Sequence, residues 1–334
     1  STLTAISHRH LEFVMQGLKE FERKVRGFGA EFAFRIDPVG CEGASVAGSS
    51  QHEITGFSEF ASIIVTDRCY LRSDVQIASY VASIVQCSVL DVSTRVIVPV
   101  EVASEELVVD KNDFVQRFLM LCDQFVYLVA EEELKNAGIE IDHSALGTSW
   151  SFMETMWGVS EWLENEDVLG QVLKEFNINP GIHKIENAFK GGEDAAIMLI
   201  DNFVKRKLRG FASMKKAKGV FCMGEYSSLI SPYFSWGFAS PALLAYHVVA
   251  SGCPREDIES YFEILANREL AHNFCHFEPN YDQYGALSED VRANLDLKAA
   301  QSHTYTYSKE EWADSKTHDD KWNQVQRELV FRGR

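Results

Sequence analysis

The hydrophobic pattern of this chain changes its period about one third of the way along its 334 residues. Short apolar runs at 62–66 and 88–92 have the length of buried strands, and residues 72–85 between them have helical spacing. From about Phe114 onward, apolar residues recur almost entirely at helical intervals. Since strands that alternate with helices usually pair in parallel, the sequence predicts an α/β layer followed by an all-helical domain.

This change of period sets the predicted domain boundaries. We place the α/β domain at residues 1–105, an inter-domain connection at 106–150 and the helical domain at 151–334. The acidic, glycine-containing part of the connection lies at 131–147. Beyond the α/β domain, helices are predicted at 114–136, 151–164, 195–208, 242–250 and 257–274.

An amphipathic helix and a further strand are predicted before the first buried strand. Residues 7–28 carry one apolar helical stripe, with Ser7 in the N-cap position and Gly29 just past the end. Residues 31–36 alternate like a strand, and a Gly/Ser-rich loop follows at 40–50. These elements precede the two buried strands in the same predicted layer.

The charge balance of the chain bears on its partners. The net charge is −17 at pH 7, with 32 basic and 49 acidic residues. Duplex DNA carries about one negative charge per 1.7 Å of its axis, so a protein that binds it normally needs a basic face. The one basic candidate is residues 205–218, which we interpret as a solvated helix surface in preference to a phosphate-binding stripe. The charge therefore argues against DNA as a partner.

The cysteines and the apolar runs bear on the compartment. The seven cysteines are scattered, with no C-x-x-C pair and no Cys/His cluster at metal-ligand spacing. We therefore predict free thiols, no metal site and a reducing intracellular compartment. An organelle, reached by means of an upstream targeting peptide that is then removed, is an alternative that the Ser1 start leaves open. The most apolar stretch, 77–102, is interrupted by polar residues such as Asp91 and Arg95, so no membrane span is predicted.

A run of hydroxyl side chains surrounds a proline at 227–240, which reads SSLISPYFSWGFAS. We call residues 227–231 the serine turn. Pro232 suits the first turn of a helix, and Ser227, Ser228 and Ser231 come just before it. Hydroxyls and free backbone N–H groups at a helix start bind anions, so the turn is a candidate pyrophosphate site. The alternative is ordinary N-capping of the helix by Ser231.

Two later segments join the serine turn in a family pattern. Residues 267–281 read NRELAHNFCHFEPNY, and residues 316–329 read KTHDDKWNQVQREL. In their residues, order and spacing, the three segments resemble class II DNA photolyases of the photolyase/cryptochrome family. Segments 62–72 and 89–104 resemble the fourth and fifth strands of that family's sheet more weakly. The resemblance implies an incomplete Rossmann-like parallel-sheet layer followed by a helical FAD-binding domain.

The resemblance also implies which residues bind the cofactor. Ser227, Ser228 and Ser231 match residues that contact the phosphates and ribityl chain of a U-shaped FAD. Arg268 matches an arginine that helps to build the flavin pocket. If FAD is bound, its phosphates are therefore expected at the serine turn, at the start of the helix that Pro232 opens.

Candidate catalytic residues follow from the same resemblance. Glu269 matches a glutamate that hydrogen-bonds the damaged pyrimidine, and Trp322 matches a tryptophan on the electron-transfer path to the flavin. Asn323 and Gln326 match polar residues on the substrate side of the pocket. From the residues alone, Arg268 and Glu269 could equally form a surface charge pair, and Trp322 could pack in a core.

The chain departs from the family pattern at several points. Asn267 stands at the first of two family arginines, and Phe211 stands at a tyrosine whose hydroxyl contacts FAD. Ser235 and Trp236 replace a His-Phe pair. The chain begins at the helix that follows the family's second strand and stops at Arg334, where the family continues through flavin-pocket helices. On this comparison, two central strands and part of the flavin pocket are expected to be absent from it.

These departures leave two principal hypotheses for the function. The first is a degenerate homologue that keeps the fold and serves as a structural or interaction subunit of a larger assembly, with other protein subunits as partners. The alternative is an FAD-dependent, blue-light-driven cyclobutane pyrimidine dimer photolyase seen as a fragment, and a cryptochrome-like light sensor is a third. We favour the subunit for a complete chain and the photolyase for a fragment. In either case the chain is expected not to bind UV-damaged duplex specifically at physiological salt.

Overall fold

The computed structural model describes residues 7–30, 32, 56, 58–59, 61–127, 189–218 and 226–332. The predicted loop at 40–50, connection segment at 131–147 and helix at 151–164 lie outside the described residues. The predicted strand at 31–36 lies outside them too, apart from Phe32. The boundaries given above for the two domains stay predictions.

The first described element is the amphipathic helix α1 (His8–Gly27). It starts after Ser7, as predicted, and ends just before Gly29, whose left-handed φ of 77° is a conformation that favours glycine. Its buried side chains include Leu11, Phe13 and Met15. The first half of the helix therefore contributes apolar side chains to the interior of the protein, whereas Phe21 and Phe28 near its end are exposed.

A small parallel sheet follows. Strand β1 (Ile63–Asp67) is joined by helix α2 (Arg72–Ile84) to strand β2 (Ser88–Val92). The strands are parallel and pair residue for residue from their first members to their last. The strands predicted at 62–66 and 88–92, and the α/β layer they define, are confirmed. The burial predicted for both strands is wrong, because most of their residues are exposed. Among the described residues the sheet has these two strands.

The rest of the described chain is helical. Ten further helices follow in the described ranges: α3 (Val100–Ala103), α4 (Lys111–Leu121), α5 (Glu193–Arg206), α6 (Phe211–Lys218), α7 (Ser231–Trp236), α8 (Pro241–Val249), α9 (Arg255–Phe277), α10 (Glu289–Ala299), α11 (Lys309–Ala313) and α12 (Asp320–Arg332). The predicted fold class, an α/β layer followed by helices, is thus the observed one. No helix in the described ranges is both long and apolar enough to cross a membrane.

Local signals explain where the predicted helices begin and end. The helix predicted at 114–136 begins at Lys111, because the side chain of Asp110 accepts hydrogen bonds from two N–H groups of its first turn. It gives way to a 3₁₀ turn at Cys122–Gln124 and so ends well before residue 136. The helix predicted at 257–274 is longer than expected, since it runs from Arg255 to Phe277.

Most buried side chains belong to one core between the helices. Phe13 of α1, Phe118 of α4 and Tyr233 of α7 all lie in this core. A smaller cluster of Tyr70, Val96 and Val100 packs against the end of α9, at Cys275 and Phe277. Helix α9 therefore takes part in both clusters and joins the segment after β2 to the helical core.

Helix α9 is the element that positions the candidate site. Its 23 residues make it about 35 Å long. Pro254 precedes it, and Glu256 and Asp257 lie in its first turn, where carboxylates stabilise the helix dipole. Asp257, Glu269 and Asn273 are buried polar side chains of α9. Because buried polar groups need hydrogen-bond partners, each of them binds backbone or side chains of another segment.

Candidate functional site

The serine turn is held by contacts to its backbone. Leu229 takes a left-handed φ of 59°, and its N–H donates to Ser227 Oγ over 3.2 Å. The ammonium group of Lys207 donates to the Ser227 carbonyl oxygen over 3.1 Å. A positive charge therefore lies beside a concentration of hydroxyl groups, and this combination suits an anionic ligand.

Ser228 and Ser231 differ in their surroundings. The Ser228 hydroxyl accepts a hydrogen bond of 3.0 Å from the hydroxyl of Tyr261, a buried residue of α9. Ser231 is exposed and is the first residue of α7, whereas Ile230 occupies the N-cap position. The alternative explanation of the motif, N-capping by Ser231, is therefore wrong.

Phe211 stands where the family pattern has a tyrosine, and the structure gives its surroundings. Its side chain is buried, and its ring meets that of Tyr261 edge to face, with 5.3 Å between the ring centroids. Phe211 has no hydroxyl to offer. The hydroxyl that reaches the serine turn on this side comes from Tyr261, which was not predicted from the sequence.

Arg268 and Glu269, adjacent on α9, bind the segment that follows β2. Arg268 Nη1 donates to the Arg95 carbonyl oxygen over 2.6 Å. The two carboxylate oxygens of Glu269 accept hydrogen bonds from the backbone N–H groups of Ile97 and Val98. Because Glu269 is only 2% exposed, the alternative of a surface charge pair is wrong. Both side chains join α9 to residues 95–98.

The environment of Glu269 changes its acidity. Burial raises the pKa of Glu269 to about 7, although the two backbone N–H groups and the Arg268 charge act in the opposite direction. Burial also lowers the pKa of His272, one turn further along α9, to about 4. Near neutral pH, His272 is therefore uncharged, and Glu269 is the side chain here that changes its charge.

This acidity predicts a pH dependence of stability. The folded chain holds a proton on Glu269 up to about pH 7, whereas an unfolded glutamate loses it near pH 4.3. The associated stability is therefore present at low pH and is lost as pH rises through 7, by roughly 2 kcal/mol between pH 5 and 8. We expect urea denaturation to show this decline, and Glu269→Gln to remove it. Glu263→Gln on the same helix is the control, and equal pH slopes for wild type and Glu269→Gln would contradict the assignment.

Trp322, Asn323 and Gln326 hold α12 against the segment before it. Trp322 Nε1 donates to the Trp312 carbonyl oxygen over 3.0 Å, and Trp322 is 41% exposed, so it is not packed in a core. Asn323 is buried, where it accepts from the Thr317 N–H and donates to the Thr317 carbonyl oxygen. Gln326 Nε2 donates to the Ala313 carbonyl oxygen over 3.1 Å. These are the hydrogen bonds of a local structural unit.

Two concave surfaces lie near the predicted residues. An open concavity of about 700 Å³ is lined by Tyr305, Tyr307 and His318, among others, just before α12. An apolar groove of about 390 Å³ lies between residues 107–109 and α9. Asn267, which stands at a family arginine, lines this groove. Neither Ile97 nor Val98, whose N–H groups Glu269 binds, lines this groove.

The predicted site residues fall into two groups. Ser228, Arg268 and Glu269 all lie on or beside α9. Ser228 is bound by Tyr261, which precedes Glu269 by eight residues on this helix, a distance of about 12 Å along the helix axis. Arg268 also lies over the ring of Phe234 in α7, with its Cζ atom 5.1 Å from the ring centroid. Residues 322, 323 and 326 make their hydrogen bonds within residues 312–326 instead.

The basic segment at 205–218 is a charged surface with its own counter-ions. Three of its lysines make ion pairs of 2.6 Å, with Lys205 binding Asp201, Lys215 binding Glu263 and Lys216 binding Glu256. Pairing with carboxylates reduces the field that a phosphate backbone would meet. These contacts favour the solvated helix surface over the phosphate-binding stripe.

No family model matches the chain. It is 25% identical over 327 residues to a deoxyribodipyrimidine photo-lyase of Methanothermobacter thermautotrophicus, covering 98% of this chain and 64% of that relative. It is also 29% identical over 151 residues to the deoxyribodipyrimidine photo-lyase of Oryza sativa subsp. japonica, covering 43% of this chain and 29% of the rice protein. This chain thus spans less than two thirds of the length of either relative.

The structural comparison addresses the fold. A bacterial class III photolyase from Agrobacterium tumefaciens superposes with a TM-score of 0.65 at 14% identity, covering 100% of this chain and 62% of that chain. The fold of the chain is therefore of the photolyase type. Over almost its whole length the chain is similar in sequence to a deoxyribodipyrimidine photo-lyase, which agrees with the family resemblance of the motifs. The class II branch stays a prediction.

Proposed function

We propose that this chain binds FAD at the serine turn and belongs to a light-driven deoxyribodipyrimidine photo-lyase. The observation that supports the proposal best is that the Lys207 ammonium group binds the Ser227 carbonyl oxygen, in the same turn as the hydroxyls of Ser227 and Ser228. A diphosphate needs hydroxyl donors and positive charge, so these residues fit the phosphate part of FAD. The relatives with this activity match the chain over up to 98% of its length.

In this proposal each residue has a limited task. Ser227, Ser228 and Ser231 hold the phosphates and ribityl chain, and Arg268 contributes to the flavin side of the pocket. When bound and reduced, FAD supplies the light-excited electron that splits a pyrimidine dimer. Glu269 contacts the dimer only if its carboxyl group exchanges the N–H groups of Ile97 and Val98 for the pyrimidine. Its protonated form can donate a hydrogen bond to a pyrimidine carbonyl oxygen.

A second candidate function is a degenerate homologue that serves as a subunit of a larger assembly. The engagement of both Glu269 oxygens by backbone N–H groups favours it, because a buried side chain with that role has a structural function. The net charge of −17 also favours protein partners over DNA. This candidate needs neither flavin nor a dimer-binding cavity.

Flavin content and repair distinguish the candidates. We expect the purified protein to show flavin absorption bands in the near ultraviolet and blue, and to lose dimers from an irradiated oligonucleotide only under blue light. Ser228→Ala should weaken FAD binding by roughly tenfold, since it removes a hydrogen bond to a charged group. Ser235→Ala is the matched control, because its hydroxyl donates to the Ser231 carbonyl oxygen within α7.

Each outcome selects one function. Flavin with light-dependent repair supports the photolyase, and flavin without repair supports a light sensor. Protein without flavin, purified under gentle conditions, supports the subunit and overturns the proposal. Mobility shifts with dimer-containing and undamaged duplexes separate the candidates further. Damage-dependent binding supports the photolyase and contradicts the expectation from the net charge, whereas weak binding that does not depend on damage supports the subunit.

A further inference from the structure

We propose that Lys207 is the cationic partner of the ligand diphosphate at the serine turn. Two residues of α9 are its positioning residues: Asp257 holds the turn after Lys207, and Tyr261 holds Ser228. The inference rests on the proposed function in one respect, since it takes the diphosphate of a dinucleotide as the ligand.

Lys207 belongs to the basic segment at 205–218 but was not singled out within it, and Asp257 and Tyr261 were not selected from the sequence. Unlike Lys205, Lys215 and Lys216, whose ion pairs favour a solvated surface, Lys207 binds the serine turn. The roles of Asp257 and Tyr261 come from contacts that the first half of α9 makes with the turn after Lys207 and with the serine turn.

Asp257 fixes the turn that carries Lys207. Its two carboxylate oxygens accept hydrogen bonds of 2.9 Å each from the N–H groups of Gly210 and Ala212. Gly210 has a φ of 85°, so this turn needs a residue without a Cβ atom. Asp257 is buried, and so is Leu208, next to Lys207. The backbone that follows Lys207 is therefore held in place by α9.

Tyr261, four residues after Asp257 on α9, fixes the other side. Its ring packs against that of Phe203 with 4.5 Å between centroids, and its hydroxyl donates to Ser228 Oγ. A hydroxyl group has one hydrogen to donate and two lone pairs. Because Ser228 accepts from Tyr261, its own hydrogen is the part left to bind an anion. Tyr261 thus sets the direction in which Ser228 donates.

Lys207 then completes the anion site between these two supports. Its ammonium group is 3.1 Å from the Ser227 carbonyl oxygen, so its charge lies within the turn. A hydrogen bond between a charged group and an oxyanion is stronger than one between neutral groups, and it weakens as salt rises. Lys207 should therefore govern the affinity for phosphate-bearing ligands and leave the affinity for an isoalloxazine ring alone unchanged.

Calorimetric titration of the full chain with FAD, ADP and riboflavin tests this proposal. We expect Lys207→Met to weaken FAD and ADP binding roughly tenfold or more and to reduce the salt dependence of both. Riboflavin, which has no phosphate, should bind as to wild type, and Lys207→Arg should restore much of the loss. Lys205→Met is the matched control, because it removes the same charge from an exposed pair with Asp201.

The positioning residues are tested through selectivity. Asp257→Asn and Tyr261→Phe should lower the ratio of FAD to riboflavin affinity at temperatures where each variant is fully folded, and a purely structural role would not change that ratio. Normal FAD and ADP binding by Lys207→Met would overturn the role of Lys207 and leave the proposed function in place. ADP binding that depends on Lys207, in a chain that binds no flavin, would overturn the proposed function alone. A wild-type chain that binds neither FAD nor ADP would overturn both.

Discussion

Replacing Phe118 with alanine is expected to lower the free energy of unfolding by about 3–5 kcal/mol, because the change removes a large core side chain and leaves a cavity. Phe118 is fully buried in α4, and its ring packs on that of Phe262 in α9, with 6.3 Å between centroids. Urea denaturation measures the loss. Met120→Ala is the matched control, since Met120 lies on the same helix and is 73% exposed.

For Met120→Ala we expect a change within about 0.5 kcal/mol. A loss of unfolding free energy below about 1 kcal/mol for Phe118→Ala would contradict the packing of α4 on α9, because removing a buried aromatic side chain from a close-packed core lowers the stability by more than this. The comparison therefore tests the packing of α4 against α9.

Replacing Asn273 with alanine is the second change with a large expected effect. Its amide oxygen accepts from the Val108 N–H over 3.1 Å, and its amide nitrogen donates to Ser104 Oγ over 2.6 Å. Asn273 is fully buried. Alanine leaves the Val108 N–H without this partner, so we expect a loss of about 2–4 kcal/mol in urea denaturation.

A double-mutant cycle separates the two bonds of Asn273. Ser104→Ala removes only the hydroxyl partner, and the coupling energy with Asn273→Ala should be about 1 kcal/mol. Asn267→Ala serves as control on the same helix, because Asn267 lines the groove and takes part in neither hydrogen bond of Asn273. Additive effects of Ser104→Ala and Asn273→Ala would show that their hydrogen bond contributes nothing to stability.

Local chemistry made most of the fold predictable from the sequence. The strand at Ser88–Val92 has the predicted bounds, because a short apolar run between polar neighbours is a local strand signal. That signal did not predict its exposure, which depends on the segments that pack around the sheet. Helix α1 was predicted with its cap at Ser7 and its end near Gly29, since both signals are local. The helix predicted from residue 114 was placed too late, because the capping role of Asp110 was not recognised.

The candidate site was predictable only where it follows the family motifs. The serine turn and Arg268 were found in this way, and the FAD role of both is a proposal that flavin binding will test. The partners of these residues were not predictable, because they are distant in the chain: Tyr261 is 33 residues from Ser228, and Glu269 is 172 residues from Ile97. Single-sequence periodicity has no information on such pairs.

Helix α9 also determines which parts of the protein unfold together. Its side chains Asp257, Glu269 and Asn273 bind five backbone amides, at residues 97, 98, 108, 210 and 212. These amides come from regions more than one hundred residues apart in the chain, yet each is released only when α9 moves away. Protection from hydrogen exchange at all five positions is thus tied to one opening event, which makes α9 and its two neighbouring segments a single cooperative unit.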